Sequence, residues 1–339
     1  MLKRKNRFKL FREIGLGILF SVLIMEIILQ ASFFFEVGLG KKPILFFNPY
    51  CDQQYWTSSS SQGDVSNQIY HPILSLQQDS LRVPNDFTFN NDFVSQEPAK
   101  DLIFYGSSFI GHDLFKETND SKFKTLNYGV SSYGLDQIYL SYKLTKNFYE
   151  NKTIVIGFLL EDLDRSIFTK RDYEKVKLTK KNDVFTPSNI PITLNATKND
   201  ISFYLYRLAK NSYQLASTNF APKNSTCLID QKKELFKFMI DDLVNDAKLL
   251  DQNLIFVTFN FINDFQPGSV NWREDFMFKF FEINNLEFIN SKEVFENYLL
   301  KTDESIESLF NEGDMHYSKI GFQLVHDELN YLQSDISKR

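Results

Sequence analysis

The segment Leu102-Ile-Phe-Tyr-Gly-Ser-Ser108 starts as a continuous apolar run and ends in a turn that carries two serines. An apolar run without polar alternation is typical of a strand covered on both faces, as in a parallel sheet. Further runs of this kind, each bounded by turn residues, lie at 125–128, 153–157, 253–259 and 286–289. Together they predict a parallel sheet.

Helical patterns lie between and after these runs. In 235–250 apolar residues repeat about every 3.6 positions with Lys and Asp opposite, and 136–148 and 321–332 also have helical patterns. Strands that alternate with helices predict a doubly wound α/β domain, which we place at 99–339. Residues 165–225 do not follow the alternation, and we interpret them as an insertion over one edge of the sheet.

The N-terminal region contains a mostly apolar stretch at 14–35, which as a helix would be roughly 33 Å long, about one bilayer core. Six basic residues precede it, so the positive-inside rule places the N-terminus in the cytoplasm and 37–339 in the periplasm or outside the cell. We therefore predict a cytoplasmic tail and transmembrane anchor at 1–36. A cleaved signal peptide is the alternative, although the stretch is long for one and lacks a clear cleavage site.

Two polar residues, Glu26 and Gln30, lie inside this stretch and share one helix face. An acid buried in a membrane can mark the site where another helix packs. The alternative is that Glu26 is protonated or lies near the membrane boundary. Residues 37–98 are rich in Pro, Ser, Gln and Asn, which predicts a stalk with little regular structure.

Composition excludes some classes of function. The net charge is −5 although the N-terminal tail is basic, and an acidic body disfavours nucleic acid as a partner. Cys51 and Cys227 are the only cysteines, and either a disulfide or two free thiols is compatible with the sequence. No Cys/His cluster has zinc spacing, so we expect no metal site.

The candidate site follows from the sheet, because open parallel sheets bind ligands at the carboxyl ends of their strands. Four polar segments are predicted to converge there: Gly106-Ser107-Ser108, the stretch from Asn127 to Gly134 with Gly129 and Ser132, the pair Glu161-Asp162, and Asp314-Met-His316.

Three of these side chains suit nucleophilic catalysis. A serine hydroxyl is a poor nucleophile until a base lies beside it. Ser108 would be the nucleophile, His316 the general base, and Asp314 the group that orients the imidazole.

In this order the segments resemble the SGNH hydrolases, also called GDSL esterases. Ser108 matches the nucleophile of the first conserved block, and Asp314-Met-His316 followed by Gly321 matches the last. The stretch 126–137 and the N-terminal anchor are similar to the membrane-anchored members associated with surface-polysaccharide genes. The resemblance implies a flavodoxin-like three-layer α/β/α fold, a Ser-His-Asp triad, no cofactor, and small acyl groups such as acetyl on a glycan or another small ester.

Three positions depart from that family. Ser107 replaces an Asp of the first block, Ser132 replaces a Gly whose backbone amide binds the oxyanion, and Glu161 replaces an Asn that donates from its side chain. Ser132 is tolerable if its φ need not be positive. Glu161 is the serious change, because an ionised carboxylate donates no hydrogen bond and losing an oxyanion donor costs ~10²–10³ in rate. A protonated Glu161 could still donate.

Two functions are therefore compatible with the sequence. One is a membrane-anchored serine ester hydrolase or O-acyl (acetyl) transferase that acts on a cell-surface glycan or its precursor. In it Gly129, Ser132, Glu161 and Asp162 would line the oxyanion and substrate site. The alternative is a catalytically inactive SGNH-like protein that binds glycan or serves in assembly.

Overall fold

The computed structural model of the 339-residue chain describes residues 2–35, 37–42, 45–55, 68–79, 81, 83–85, 87, 101–111, 124–171, 173–193, 202–217, 225–266 and 271–336. Much of the predicted stalk lies outside these residues.

The strands are, in chain order, β1 (Gln54–Tyr55), β2 (Gln68–His71), β3 (Ser75–Gln78), β4 (Leu102–Gly106), β5 (Thr125–Gly129), β6 (Thr153–Leu159), β7 (Lys170–Arg171), β8 (Tyr173–Glu174), β9 (Lys177–Lys181), β10 (Val184–Ser188), β11 (Asn253–Phe259) and β12 (Glu287–Asn290).

The α-helices are α1 (Leu2–Phe34), α2 (Leu135–Thr145), α3 (Asp162–Arg165), α4 (Tyr204–Ser217), α5 (Ile229–Leu249), α6 (Trp272–Ile283), α7 (Ser291–Leu299) and α8 (Lys319–Ile336).

The central sheet has five strands in the order β12-β11-β6-β4-β5, and every neighbouring pair is parallel. Numbered by position along the chain, this order is the 2-1-3-4-5 arrangement of flavodoxin-like folds. The predicted parallel sheet is confirmed, because all five apolar runs form its strands. The strand order reverses between β4 and β6, and such a switch point opens a crevice at the carboxyl ends.

Side chains of the sheet alternate between two cores. Ile103 and Tyr105 of β4 belong to the core beneath α2, α5 and α6. Leu102 and Phe104 belong to the opposite core, which α7 and α8 cover. The three-layer α/β/α architecture is therefore confirmed.

Contacts divide the chain into two compact units. One contains Met1–Gln62, Lys170–Tyr173 and Asn195–Ser225, and the other contains Gly63–Thr169, Glu174–Leu194 and Thr226–Arg339. The second unit is the α/β domain. The segment 165–225, which the sequence analysis interprets as an insertion, therefore has parts in both units. Its antiparallel hairpin β9–β10 belongs to the α/β domain.

The α/β domain also includes residues that the sequence assigned to a stalk. Strands β2 and β3 form an antiparallel hairpin whose turn buries Ile73 and Leu74 in the core beneath α2. Gln137 Nε2 donates to Leu74 O over 2.7 Å, so the hairpin is fixed to the start of α2.

The first unit is built around α1. Its segment Lys9–Phe34 is almost entirely exposed and has a mean hydropathy of 2.2, and it is long and apolar enough to cross a membrane.

Neither cysteine of the chain is a free thiol, which agrees with the disulfide alternative.

Candidate active site

Ser108 lies in the turn that follows β4, at the carboxyl edge of the sheet. Gly111 N donates to Ser107 O over 3.0 Å and closes this turn. Ser108 is half-buried, while Ser107 and Phe109 on either side are buried. Among the residues that the structure describes, none accepts a hydrogen bond from Ser108 N. The turn therefore presents a hydroxyl and a backbone N–H at the crevice.

The Ser108 turn packs directly on the end of β5. A Cβ built at Gly129 would lie 2.4 Å from Gly111 N, so only glycine permits this approach. Asn127 fastens the same contact, because its Nδ2 donates to Ile110 O and its Oδ1 accepts from Gly129 N over 2.7 Å. The sequence pointed to the stretch that contains Asn127 but not to this role.

The other half of the site is a loop that precedes α8. A single antiparallel bridge pairs Phe310 with Tyr317, and Asn311 N donates to His316 O over 3.0 Å. The loop thereby closes on itself and carries both Asp314 and His316. Both residues are partly open to solvent.

The two halves meet at the switch point of the sheet. His316 Nε2 lies 2.8 Å from Ser108 Oγ, and His316 Nδ1 lies 2.7 Å from Asp314 Oδ1. These distances allow the Ser108 hydroxyl to donate to Nε2 while Nδ1–H donates to the carboxylate. The arrangement has the connectivity required to activate a serine hydroxyl.

The charge of Asp314 is favoured in this geometry. Partial burial alone would raise the pKa of Asp314, but its hydrogen bonds with His316 outweigh burial and hold that pKa below the usual range. A carboxylate at this position selects the imidazole tautomer with the proton on Nδ1.

Aromatic rings support the imidazole from the sheet side. The ring of Phe109 lies 4.8 Å from the His316 ring and 5.0 Å from the Tyr317 ring, measured between centroids. Tyr317 is fully buried, and its hydroxyl accepts from Asn260 N over 2.8 Å. This packing restricts the rotation of His316, and no sequence motif pointed to it.

Ser132 lies three residues beyond the end of β5 with φ of +71°. This value is in the left-handed region that favours glycine. From the sequence, Ser132 was expected to be tolerable only if its φ need not be positive, and that condition is not met. The chain keeps a backbone conformation that suits glycine, at a cost of about 1 kcal/mol.

Glu161 follows β6 and is buried, with only 5% of its surface exposed. Neither carboxyl oxygen has a hydrogen-bond partner among the described residues. Burial, reinforced by the nearby charge of Asp264, raises the pKa of Glu161 to about 7 despite Arg273. At neutral pH a large share of Glu161 is therefore protonated and able to donate.

Asp162 is engaged in local structure. Its Oδ2 accepts from Leu159 N over 2.9 Å, and its Oδ1 is paired with Arg165. These bonds close the turn between β6 and α3. The hydroxyl of Ser107 is also buried, without a partner among the described residues.

No group of His, Cys, Asp and Glu that could hold a metal ion occurs in the part of the chain that the structure describes.

Comparison with known proteins gives distant likenesses. No protein-family model matches the sequence. No curated protein matches it either. Several solved structures, hydrolases and esterases among them, superpose on part of the chain at low sequence identity.

An α/β hydrolase from the metagenome of Lake Arreo has 10% identity and a TM-score of 0.38, with 67% of this chain and 91% of that chain covered. A putative lipolytic protein of the G-D-S-L family from Desulfitobacterium hafniense has 12% identity and a TM-score of 0.35, with 68% and 97% covered. An acetylxylan esterase from Geobacillus stearothermophilus has 13% identity and a TM-score of 0.37, with 67% and 90% covered. Superpositions with TM-scores this low carry no conclusion about function.

Proposed function

We propose that this chain is a membrane-anchored serine ester hydrolase or O-acyl transferase that works through Ser108, His316 and Asp314. The observation that carries the proposal is the 2.8 Å contact between His316 Nε2 and Ser108 Oγ, with Asp314 on the other ring nitrogen. The Ser108 hydroxyl and the His316 imidazole are 208 residues apart in sequence, yet the hydroxyl lies next to a ring nitrogen that can accept its proton, as nucleophilic catalysis needs.

The reaction follows from the order of these contacts. His316 Nε2 takes the hydroxyl proton as Ser108 Oγ attacks the ester carbonyl, and the imidazolium then gives that proton to the leaving alcohol. The acyl group remains on Ser108 as an ester. Water or a sugar hydroxyl, deprotonated by His316, attacks this ester. The imidazolium then returns the proton to Ser108 Oγ as the bond between Oγ and the acyl carbon breaks, which releases the acid or the new ester and the free enzyme.

Backbone and side-chain donors would stabilise the tetrahedral intermediate. Ser108 N is available in the turn, Ser132 has the backbone conformation of the glycine that it replaces, and protonated Glu161 offers a third donor.

The substrate is proposed from the resemblance rather than from the geometry. We expect a small acyl group, such as acetyl, on a cell-surface glycan, its precursor or another small ester. The exposed, apolar segment of α1 supports an anchor. Because basic residues precede this segment, we propose that the N-terminus lies in the cytoplasm and the α/β domain in the periplasm or outside the cell.

A fluorophosphonate probe tests the nucleophile on the full chain in detergent. We expect labelling that is lost in Ser108→Ala and kept in Ser107→Ala, because Ser107 carries the adjacent hydroxyl and that hydroxyl makes no hydrogen bond among the described residues. Labelling that persists in Ser108→Ala would reject Ser108 as the nucleophile.

A second function is favoured by one feature, the carboxyl of Glu161. If it ionises, its charge opposes an oxyanion, and the domain would bind glycan or take part in assembly without catalysis. Glu161→Asn separates the two functions: turnover that appears only in this variant shows a complete triad that lacks its donor. The absence of labelling and turnover in both proteins, from acidic to alkaline pH, supports the non-catalytic function.

A further inference from the structure

The acid inside the apolar stretch has a defined partner in the structure. Glu26 Oε1 accepts from Tyr204 N and Glu26 Oε2 accepts from Leu205 N, both over 2.8 Å. These are the first two residues of α4, and the first N–H groups of a helix have no acceptor within the helix. Glu26 therefore caps α4 with a bidentate carboxylate from α1.

Further contacts fix α4 to the same part of α1. Gln30 Nε2 donates to Glu26 Oε1 over 2.8 Å and also to Ser202 O. Near the end of α1, Phe33 packs against Tyr204 with 4.7 Å between ring centroids. The contacts are polar at Glu26 and aromatic at Phe33, so the start of α4 is docked on the last turns of α1.

Docking at Glu26 sets the depth of α4 relative to the apolar stretch. Glu26 is eight residues before Phe34, the end of α1, which corresponds to about 12 Å of helix. If α1 spans a bilayer with a core of about 30 Å, the start of α4 lies within or just at the apolar layer. Lipid offers no acceptor for exposed N–H groups, so a helix can begin at this depth only with an acceptor from the protein. Glu26 supplies that acceptor.

The outward face of α4 and of the residue before it is aromatic. Phe203, Tyr206 and Tyr213 are 52%, 63% and 77% exposed, and Ala209 is exposed on the same side. Phe203, Tyr206 and Tyr213 follow one another at spacings of three and seven residues, which places them on one stripe of a helix. Tyrosine rings are favoured where one end is apolar and the other wet.

The cations of α4 are held within the first unit. Lys210 Nζ pairs with Asp52 Oδ1 over 2.8 Å, and the Arg207 guanidinium stacks over Phe47 at 4.5 Å from the ring centroid. A helix in water turns its charges outward and its aromatics inward. Here the exposed stripe is aromatic, and the apolar side chains of α1, the helix on which the start of α4 is docked, are exposed as well.

We propose that α4 is an interfacial membrane helix whose Phe203, Tyr206 and Tyr213 side chains insert into the lipid bilayer beside α1, held there by Glu26. The partner is the boundary between acyl chains and headgroups on the side of the membrane where α1 ends. This inference rests on the proposed membrane span.

Tryptophan depth probes test it in the full chain, reconstituted in phosphatidylcholine vesicles. Tyr213→Trp reports on α4, and Tyr331→Trp on α8, 72% exposed, is the matched control for an exposed tyrosine of the α/β domain. After subtraction of the parent emission, we expect the Tyr213→Trp signal to be quenched several-fold more by brominated phosphatidylcholine than the Tyr331→Trp signal. Aqueous iodide should show the opposite order.

The outcome separates this inference from the span itself. Vesicle flotation after an alkaline carbonate wash first shows whether the parent chain is integral to the membrane, and a chain that is stripped off refutes both proposals. A chain that floats while Tyr213→Trp is quenched by iodide as strongly as Tyr331→Trp overturns the interfacial helix alone.

Glu26→Ala supplies a second readout. Adding it to Tyr213→Trp removes the cap, so we expect weaker quenching by brominated lipid and stronger quenching by iodide in a chain that still floats. Unchanged quenching by both reagents would reject Glu26 as the group that holds α4 in place.

Discussion

His316 Nε2 and Ser108 Oγ lie 2.8 Å apart, although 208 residues separate them along the chain. Ser108 follows β4 and so lies at the switch point of the sheet. His316 lies in the loop before α8, at the same edge of the sheet, and the two side chains are therefore in contact.

Removing one member of the pair should remove most of the activity. We expect Ser108→Ala and His316→Ala each to lower the turnover of an activated acetyl ester to the background rate, and the double variant to be no worse than either single variant. Asp314→Asn should lower it by roughly 10²–10⁴-fold, because the carboxylate no longer selects the Nδ1–H tautomer. Steady-state turnover measures all four proteins. Additive losses in the double variant would mean that the two residues do not act as a unit.

Stability should depend on pH through Glu161. Its pKa is raised to about 7 in the folded chain, above the ordinary value of 4.5, so the folded state holds the proton more tightly than the unfolded state. The contribution of protonated Glu161 is complete below pH 4.5 and is lost as pH rises towards 7, to a total of about 3 kcal/mol.

Glu161→Gln keeps the neutral shape and removes this titration. We expect the variant to have a higher Tm than the parent at pH 8 and a nearly equal Tm at pH 4.5. Thermal unfolding of both proteins at the two pH values measures the difference. A Tm difference that does not change with pH would show that Glu161 is not buried as a titrating group.

Ser132→Gly should stabilise the chain without loss of turnover. With φ of +71°, serine is strained by about 1 kcal/mol relative to glycine, and the substitution keeps the backbone N–H. Ser132→Ala is the control, since it removes the hydroxyl and retains the strain. We expect Tm to rise in the glycine variant only. Equal Tm values for the two variants would count against a strained backbone.

Asn127→Ala should loosen the turn that holds Ser108. The substitution leaves Ile110 O and Gly129 N without their buried partner, at about 1–3 kcal/mol for each group. Tm should fall, and the rate of fluorophosphonate labelling should fall with it. Asn284→Ala is the control, because Asn284 makes an exposed bond to Phe280 O and its loss should change neither quantity. A labelling rate for Asn127→Ala equal to that of the control would show that the turn keeps its geometry unaided.

The sheet could be predicted from the sequence because buried parallel strands leave continuous apolar runs. The run at 253–259 coincides with β11, and the other four differ from their strands by a few residues at the ends. Helices α2, α5 and α8 were predicted from a different pattern, because apolar residues that repeat at helical spacing pack against the cores of the domain. The hairpin β2–β3 was not predicted, because its strands are short and polar and its stability comes from contacts with α2.

The candidate site could be assembled only in part. Strand ends and polar motifs located Ser108, Asp314 and His316 as candidates, but nothing local to the sequence shows that Asn127 ties two strand ends together. The burial of Glu161 and the positive φ of Ser132 are likewise properties of the tertiary environment. The docking of Glu26 on α4 depends on a pair of backbone N–H groups nearly 180 residues away.

The closed loop between Phe310 and Tyr317 carries both His316, the proposed proton acceptor, and Asp314, the acid that would orient it. If the proposed reaction takes place, replacing the residues between Phe310 and Tyr317 would abolish it and leave the three-layer fold intact, because neither Asp314 nor His316 belongs to either hydrophobic core.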